Sequence, residues 1–411
     1  MKFEDYRISP EIKKNLSELG FRRPTDIQYK AISPILKGDD VLAIAQTGTG
    51  KTAAFAIPVI DLINQQKSSS RSEFISCLVM VPTRELALQI TGVFQSIGQH
   101  TRVKTACVFG GVDQDPQISK LKSGIDILVA TPGRMFDLVS QGHMLLDMVQ
   151  ILILDEADHM LALGFIKDIR QLIHRLPKHR QTLFFSATIN PEIKDLAYSL
   201  VVNPIRIEIS PKDPVAKNVT HSVAFIPMDD KRFFLERMIK ENPDAKILVF
   251  VRTKVRAERV FKAMERINIK TITIHGDKEQ KDRLEVMNQF KNGVVKVLIA
   301  TDVSARGIDI QDVEYVINYD LPDVAENYVH RVGRTGRGDK KGMAVSFCSP
   351  EEKPVLDEIE AFLDQKIKVL TINNEDYTAT LDFSADNPHD WRALMQEETP
   401  SQKTFKKKKK K

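Results

Sequence analysis

Two glycines, a lysine and a threonine lie within a few residues of one another, and together they suit the binding of a phosphate chain. They belong to the segment 45–52, which follows the apolar run 41–44 and precedes a stretch of small residues. Gly48 and Gly50 lack a Cβ atom, so the backbone N–H groups around them can point at an anion. Lys51 can reach the β- and γ-phosphates, and the Thr52 hydroxyl can ligate a magnesium ion.

The flanking residues place this segment between a strand and a helix, whose positive end would face the same anion. The segment therefore predicts a nucleoside triphosphate site, although the usual first glycine of the pattern is an alanine here. A surface turn rich in glycine and threonine is the alternative interpretation. The residues that would surround the phosphates are Ala45, Gln46, Thr47, Gly48, Thr49, Gly50, Lys51 and Thr52.

A second set of candidate residues is acidic and follows another apolar run. The run 151–154 leads into Asp155-Glu156-Ala157-Asp158. The carboxyl ends of parallel strands form the rim at which such sheets bind ligands. Asp155 suits a carboxylate that holds magnesium, directly or through water, and Glu156 suits the base that orients an attacking water. Acids also favour helix N-termini, but the phosphate segment makes that alternative the lesser one.

The elements that must position these residues alternate between short apolar strands and amphipathic helices. This alternation predicts parallel sheets that are covered by helices on both faces. In the first half we predict strands at 41–45, 77–81, 104–109, 127–130, 151–154, 182–186 and 205–209, with helices clearest at 10–19, 84–96, 165–176 and 191–200. In the second half we predict strands at 246–251, 271–274, 296–300, 313–318 and 342–348, and helices at 231–240, 254–267, 280–291 and 350–363.

The two halves are separated by a segment, 210–214, that contains two prolines and no apolar residue. At 411 residues the chain is too long for one ordinary core. We therefore predict an N-terminal domain at 1–209, a linker at 210–217 and a C-terminal domain at 218–370. Residues 371–411 turn polar and end in polylysine, which predicts a disordered tail.

The charge balance removes one simple argument for nucleic-acid binding. The net charge is +5, but six of the 60 basic residues form the terminal run Lys406–Lys411, without which 54 basic residues face 55 acidic ones. No apolar run approaches membrane-spanning length, and residues 1–5 do not form a signal peptide. Cys77, Cys107 and Cys348 are far apart and predict buried thiols in a reducing cytoplasm, neither bridges nor metal ligands.

Together with the phosphate segment 45–52, Asp155-Glu156-Ala157-Asp158 resembles the signature of the DEAD-box family of ATP-dependent RNA helicases. Further motifs that resemble the family's run in order from Phe3 to Arg337 and so cover both predicted domains. The resemblance implies two tandem RecA-like domains, ATP and Mg²⁺ as cofactors, and RNA as the partner. The stretch 168–202 and the order of the second domain look closest to the bacterial RhlE-like subgroup.

The segment 20–28, with Phe3 upstream, resembles the family's Q motif and implies that the nucleotide is ATP. Phe21 can stack on the base, and the Gln28 amide can donate and accept hydrogen bonds at once, which suits adenine. Without the resemblance, Phe21 would be interpreted as a core residue and Gln28 as a surface residue.

The second domain contributes the segment 330–337, in which three arginines spaced by glycines form a compact positive loop. Guanidinium groups match phosphate oxygens and can stabilise charge that develops on the γ-phosphoryl group. The resemblance implies that Arg334 and Arg337 act as arginine fingers and that His330 helps to link the nucleotide and RNA sites. A patch for the RNA backbone is the alternative.

The resemblance assigns two further roles around the nucleotide. Ser186 and Thr188 belong to a motif that would hydrogen-bond to Asp158 and couple hydrolysis to strand separation, although two hydroxyls after a strand could equally cap a helix. Gly307 and Asp309 would lie near the nucleotide.

Other motif residues resemble those with which the family contacts the RNA backbone. Each short motif alone would be an ordinary turn, and only their common order makes the set specific. Backbone contacts predict little base specificity, and a preference for RNA over DNA would come from 2′-hydroxyl contacts. The polylysine run either adds affinity that depends on salt or is a solvated end. The predicted RNA contacts are Pro82, Thr83, Arg84, Gly110, Gly111, Thr131, Pro132, Gly133, Arg134, Arg252, Thr253, Gln280, Arg283, Thr301 and Arg306.

The resemblance implies an enzyme that couples ATP hydrolysis to local unwinding of short RNA duplexes or to remodelling of RNA–protein complexes. We expect a cytoplasmic monomer in which ATP and RNA together close the cleft between the domains. Two alternatives stay open: an RNA-stimulated ATPase that clamps RNA without unwinding it, and a DNA helicase on the same fold. A small-molecule kinase is remote, because it leaves the arginine loop of the second domain unexplained.

Overall fold

Two parallel sheets organise the protein. The computed structural model describes residues 1–46, 48–67, 74–209, 215, 218–302, 312–336 and 340–384. We call residues 1–209 domain 1 and residues 218–384 domain 2. Each contains one sheet of seven described strands, and every strand pair in both sheets is parallel. The fold class expected from the alternation of strands and helices is therefore confirmed.

The sheet of domain 1 has the strand order β3-β4-β2-β5-β6-β1-β7. Its strands are β1 (Val41–Ala45), β2 (Cys77–Met80), β3 (Thr105–Val108), β4 (Ile127–Ala130), β5 (Ile151–Leu154), β6 (Gln181–Ser186) and β7 (Ile205–Ile209). The helices are α1 (Pro10–Glu18), α2 (Asp26–Leu36), α3 (Lys51–Gln66), α4 (Arg84–Ile97), α5 (Asp115–Lys122), α6 (Pro132–Ser140), α7 (Ala157–Ala162), α8 (Ile166–Arg175) and α9 (Pro191–Leu200).

The sheet of domain 2 has the order β10-β11-β9-β12-β13-β8-β14. Its strands are β8 (Val219–Phe225), β9 (Ile247–Phe250), β10 (Ile272–Ile274), β11 (Val297–Ala300), β12 (Tyr315–Asn318), β13 (Gly342–Cys348) and β14 (Lys368–Val369). The helices are α10 (Lys231–Glu241), α11 (Lys254–Arg266), α12 (Gln280–Lys291), α13 (Ala325–Val332), α14 (Lys353–Leu363) and α15 (Asn374–Asp382).

Each sheet lies between two apolar clusters, because successive side chains of a strand point to opposite faces. Along β1, Val41 and Ala43 pack into one cluster of domain 1, and Leu42 and Ile44 pack into the other. Helices cover both faces, so the strands read as continuous apolar runs instead of alternating ones. The carboxyl ends of the strands lie at one edge of each sheet, where the candidate residues follow them.

Domain 2 differs from the sequence prediction at its two ends. Strand β8 was not predicted, and it pairs with β13 along its whole length from Val219 to Phe225. Disorder was expected from residue 371, but α15 packs on α10, where the Tyr377 ring lies 5.1 Å from that of Phe234. The hydroxyl of Ser384 donates to Glu236 Oε2 at 2.5 Å. The expectation is therefore wrong for residues 374–384, while 385–411 lie outside the described residues.

The predicted linker 210–217 lies outside the described residues except for Val215, so the domain limits stay predictions there. Within the described part of the chain, every helix is too short or too polar to cross a membrane.

Candidate active site

The phosphate segment joins β1 to α3 and has the backbone that its glycines allow. Gly48 has φ +83° and Gly50, which precedes the first residue of α3, has φ +93°. A Cβ atom at Gly50 would lie 2.5 Å from Gln28 Nε2, so both conformation and space require glycine there. The Thr49 hydroxyl donates to the carbonyl oxygen of Gln46 at 2.8 Å and closes the turn. Thr47 lies outside the described residues.

Lys51 is the residue at which the segment most clearly indicates an anionic ligand. Its side chain is only 6% exposed, and its Nζ atom has no hydrogen-bond partner within the described part of the chain. A buried ammonium group without a hydrogen-bond acceptor is costly, whereas a phosphate at the N-terminus of α3 would supply acceptors. This placement fits the predicted contact with the β- and γ-phosphates.

Asp155 and Glu156 follow β5 and lie at the same edge of the sheet. Burial raises the pKa of the Asp155 carboxyl to about 6, against the opposing effect of the Lys51 charge. Burial would also raise the pKa of Glu156, but the hydrogen bond from His159, its charge and the charges of Arg334 and Lys51 lower that pKa to about 2. The two adjacent carboxyl groups thus have different proton affinities, which is typical of residues with separate roles.

Glu156 is held by its backbone as well as by its neighbours. It has φ +51°, in the left-handed region, and it precedes the first residue of α7. Its backbone N–H donates to Asp155 Oδ1 at 3.0 Å, and its Oε2 atom lies 3.4 Å from Nδ1 of the buried His159. An ionised carboxylate fixed in this way can accept a hydrogen bond from a water molecule at the γ-phosphate.

The same corner offers suitable ligands for magnesium. Asp155 is 3% exposed, and the half-buried Thr52 follows Lys51 at the start of α3. Among the described residues, no three His, Cys, Asp or Glu side chains converge as in an all-protein metal cage. Mg²⁺ characteristically binds through one or two protein oxygens together with phosphates and waters, so this sparse donor set fits it.

A chain of contacts leads from the acidic motif to domain 2. Asp158 Oδ2 accepts hydrogen bonds from the backbone N–H and the hydroxyl of Thr188, both at 3.1 Å. The Ser186 hydroxyl instead donates to the carbonyl oxygen of Thr188 at 2.8 Å. From domain 2, His330 Nε2 approaches Asp158 Oδ2 to 3.9 Å. The structure thus contains the expected bond between the two motifs of domain 1, while the coupling role of these residues stays a prediction.

The arginines of the segment 330–337 do not all face the nucleotide site. Arg334 is 3% exposed, its Nε donates to the carbonyl oxygen of His330 at 3.1 Å, and its charge acts on Glu156 across the domain boundary. Arg331 is buried inside domain 2, where its NH2 donates to Asp302 Oδ2 at 2.8 Å. The expected positive loop of three arginines is therefore wrong for Arg331, which has a structural position. Arg337, Gly307 and Asp309 lie outside the described residues.

The positions of Gln28 and Phe21 differ from those expected without the family resemblance, which were the surface for Gln28 and the core for Phe21. Gln28 is buried, not on the surface; its Oε1 accepts from the backbone of Thr25 at 3.0 Å, and its Nε2 donates to the carbonyl oxygen of Gly50 at 3.2 Å. Each end of the amide keeps one further hydrogen-bonding position, which is what an adenine edge needs. Phe21 is half-buried, and its ring lies 5.7 Å from that of Phe3 in an edge contact.

Predicted RNA contacts of domain 1 follow β2, β3 and β4. Arg84 lies against Gly110 and Gly111, where an added Cβ would collide with its guanidinium group at Gly111. Burial, together with the charges of Arg283 and Arg134, lowers the pKa of Arg84. Guanidinium groups from three separate motifs therefore converge, an arrangement that a polyanion would stabilise.

Two predicted RNA-contacting threonines are also helix caps. Thr83 Oγ1 accepts from the backbone of Leu86 at 3.3 Å at the start of α4. Thr253 Oγ1 accepts from the backbone of Arg256 at 3.1 Å at the start of α11. Each cap satisfies one N–H group at its helix N-terminus, and the other N–H groups of the first turn can still bind an RNA phosphate.

The motif 131–134 opens α6, and its arginine is fixed by domain 1. Thr131 is buried before the first helical residue Pro132, and Gly133 follows it. Arg134 NH2 donates to the carbonyl oxygen of Val112 at 2.8 Å. In domain 2, the buried Thr301 follows β11. Arg306 lies outside the described residues.

Three predicted RNA contacts of domain 2 have protein partners in this structure. Arg252 forms ion pairs with Asp323 at 2.9 Å and Glu352 at 3.1 Å. Gln280 Oε1 accepts from Arg84 NH1 at 3.2 Å, across the domain boundary. Arg283 NH2 lies 2.8 Å from Glu85 Oε1.

Glu85 was missed in the sequence analysis. It lies within the quoted motif 82–87 and carries the one negative charge of that motif. Its neighbours in the sequence gave no sign that it would meet Arg283 of the other domain. Besides Arg283, Gln280 Nε2 lies 3.4 Å from its Oε1.

Comparisons with known proteins match both domains. The family model DEAD/DEAH box helicase matches residues 25–196, and the model helicase conserved C-terminal domain matches residues 230–339. The ATP-dependent RNA helicase RhlB of Shewanella frigidimarina is 41% identical over 385 residues, which are 93% of this chain and 88% of that protein. The placement in the RhlE-like subgroup stays a prediction.

Solved structures also resemble this chain over both domains. S. cerevisiae Dbp5 bound to RNA and ADP BeF3 has a TM-score of 0.82 at 28% identity, covering 92% of this chain and 98% of that one. A DEAD box protein from Methanococcus jannaschii is 38% identical but has a TM-score of 0.53, covering 90% and 99%.

Proposed function

The chain belongs to the DEAD-box family of ATP-dependent RNA helicases, and we propose that it hydrolyses ATP with groups that both domains contribute. The observation that carries this proposal is that the charges of Lys51 of domain 1 and of Arg334 of domain 2 both act on the carboxylate of Glu156. Lys51 Nζ is buried and has no hydrogen-bond partner among the described residues, which leaves it available to a phosphate. A phosphate chain held by Lys51 would therefore be approached by both remaining groups.

Each residue has a definite task in this proposal. Lys51 and the N–H groups of the phosphate segment bind the β- and γ-phosphates, and Glu156 orients the attacking water. Asp155 and Thr52 hold the magnesium ion, which when bound neutralises charge on the phosphates. Arg334 stabilises the charge that develops on the γ-phosphoryl group, a contribution that exists only while the domains are closed. Phe21 and Gln28 select adenine.

We further infer that RNA binding and ATP binding favour the same closed arrangement. Arg84, Gln280, Arg283 and Glu85 join the domains on the RNA side, and His330 approaches Asp158 between that side and the nucleotide. A strand held by backbone contacts across both domains is constrained in a shape that its duplex partner cannot follow. Hydrolysis and phosphate release then reopen the cleft.

The remaining parts of the proposal concern the setting of the enzyme. Contacts through backbone N–H groups and guanidinium groups support RNA binding with little base specificity. The cysteines are free thiols in the structure, which supports a reducing compartment, and we propose a cytoplasmic monomer.

The test is ATP turnover by the full chain with and without single- and double-stranded RNA. RNA should stimulate the wild type, Lys51→Ala should lower the rate about 100-fold or more, and Glu156→Gln should bind ATP without turnover. Lys178→Ala, which removes an exposed charge of domain 1, is the matched control and should behave as wild type. Rapid hydrolysis by Glu156→Gln, or a wild-type rate that ignores RNA, would refute the proposal.

A further inference from the structure

A cavity of about 550 Å³ lies in domain 2, and none of the residues assigned a role so far lines it. Its wall combines basic side chains with an apolar base formed by residues such as Val260 and Ala263. Two aspartates also reach it, so the lining itself has an excess of two positive charges, one of which belongs to Arg256 and is paired with Asp320 outside the lining. The charged residues are Arg232, Arg256, Arg259, Arg266, Asp229 and Asp230.

Three of these arginines form a stripe along α11. Residues 256, 259, 263 and 266 recur at helical spacing, so they share one face of the helix. At about 1.5 Å of rise per residue, Arg256 and Arg266 are separated by about 15 Å along the axis. Phosphates of one strand follow each other about every 3.4 Å along a duplex axis and are spaced more widely in an extended single strand, so the stripe is long enough to meet at least two phosphates.

The stripe begins where the predicted RNA contacts end. Thr253 caps α11, and Arg256 lies one turn further along the helix. Arg256 NH2 pairs with Asp320 Oδ1 at 3.3 Å, while Asp320 Oδ2 accepts from the backbone N–H of Arg252 at 3.1 Å. One carboxylate therefore links the predicted RNA-contacting loop to the cavity, which makes the two basic surfaces continuous.

The negative groups of the cavity are partly used by the protein itself. Asp230 Oδ2 accepts from the Tyr377 hydroxyl of α15 at 2.5 Å. The Arg232 guanidinium lies 4.4 Å from the centre of the Phe233 ring. Arg259 is exposed, and within the described part of the chain no carboxylate forms an ion pair with it. The cavity thus presents positive charge in guanidinium form, which suits phosphate oxygens.

We propose that this cavity and the arginine stripe of α11 form an auxiliary RNA site that binds phosphates beyond the strand gripped between the domains. The inference rests on the proposed function and extends it to longer RNA. The stripe would contribute affinity that depends on RNA length and salt, without base specificity and without any part in ATP chemistry.

The test compares single-stranded RNA of about 8 and about 30 nucleotides, since such sites span from a few to about 16 nucleotides. In the full chain, Arg259→Ala combined with Arg266→Ala should weaken binding of the longer RNA about tenfold and of the shorter less than about twofold. The salt slope for the longer RNA should fall by about 1.4, because each neutralised phosphate of a single strand contributes about 0.7.

Lys262→Ala is the matched control, because Lys262 is exposed on α11 but does not line the cavity. It should leave the length dependence unchanged, and the double Arg→Lys variant should retain most of the binding. Equal weakening for both RNA lengths, no weakening, or an equal effect of Lys262→Ala would overturn the auxiliary site. ATP turnover stimulated by the short RNA reads out the proposed function separately and should stay at the wild-type level in the double variant.

Discussion

Replacing Glu85 by glutamine removes one charge from the junction of the two domains and leaves the size of the side chain unchanged. Glu85 Oε1 lies 2.8 Å from Arg283 NH2, and the two side chains are only 7% and 11% exposed. Both groups would be hydrated if the domains separated. Removing the charge should therefore lower the stability of the closed arrangement of the two domains and leave the free energy of unfolding of each domain unchanged.

The expected size of the Glu85→Gln effect follows from the charged hydrogen bond between Glu85 and Arg283. A hydrogen bond between charged partners contributes about 1.5–3 kcal/mol net, so we take about 2 kcal/mol for the loss in domain closure. At about 1.4 kcal/mol per factor of ten, this corresponds to an increase of about 30-fold in the RNA concentration that half-saturates ATP turnover. The rate at saturating RNA should be unchanged, because Glu85 has no place among the groups around the phosphates.

The assay is ATP turnover at saturating ATP as a function of RNA concentration. Glu18→Gln is a matched control, since Glu18 pairs with Lys14 at 3.9 Å on the open surface, with side chains 52% and 67% exposed. Exposed pairs contribute little, so this variant should stay near wild type. In an Arg283→Ala background, Glu85→Gln should have almost no additional effect.

Whether Glu85→Gln raises or lowers the RNA concentration that half-saturates ATP turnover decides between two roles of Glu85. A carboxylate beside several guanidinium groups could act mainly by repelling RNA phosphates, and its removal would then strengthen RNA binding. A lower half-saturating RNA concentration in Glu85→Gln, or an effect that persists undiminished without Arg283, would refute the junction role.

Three further variants test other contacts. Thr188→Val removes the hydroxyl bond to Asp158 but keeps the backbone bond, so duplex displacement should fall more than ATP turnover when both are measured on one sample. Arg331→Ala removes the donor to the buried Asn318 side chain and to the carbonyl oxygen of Asp320, and the free energy of unfolding of domain 2 should fall by about 1–3 kcal/mol for each acceptor left without it in denaturant titrations. Gly50→Ala forces a side chain onto Gln28 at a positive φ, and ATP binding measured by calorimetry should be lost while Gly92→Ala, in a helix with open space, should keep it.

The strands of both sheets could be predicted because their apolar runs are complete and end in turn residues. Val41–Ala45, Ile127–Ala130 and Gly342–Cys348 begin and end where the sequence indicated. The phosphate segment and the acidic motif were recognisable for the same reason, since local residue types dictate both backbone and chemistry. Local pattern therefore accounts for the scaffold and for the two segments at which we propose contacts with ATP.

Other features depend on partners that are distant in the sequence. Strand β8 carries Thr220, His221 and Ser222 in its middle, so it lacks an apolar run and is fixed only by its ladder with β13. The polar helix α15 is stabilised by its packing against α10. Arg331 and Glu85 have ordinary flanking residues, and only the folded chain shows that one is buried in domain 2 and the other meets the opposite domain.

The left-handed backbone at Glu156 has a consequence for how this enzyme can evolve. A side chain at φ +51° costs roughly 1–2 kcal/mol that glycine would not incur, and the buried contact of Glu156 with His159 offsets part of this cost. Glu156→Gly would relieve the backbone but remove this contact, and under the proposed role of Glu156 it would also stop ATP turnover. If Glu156 orients the attacking water, selection for a higher free energy of unfolding and selection for ATP turnover would favour different backbone requirements at position 156.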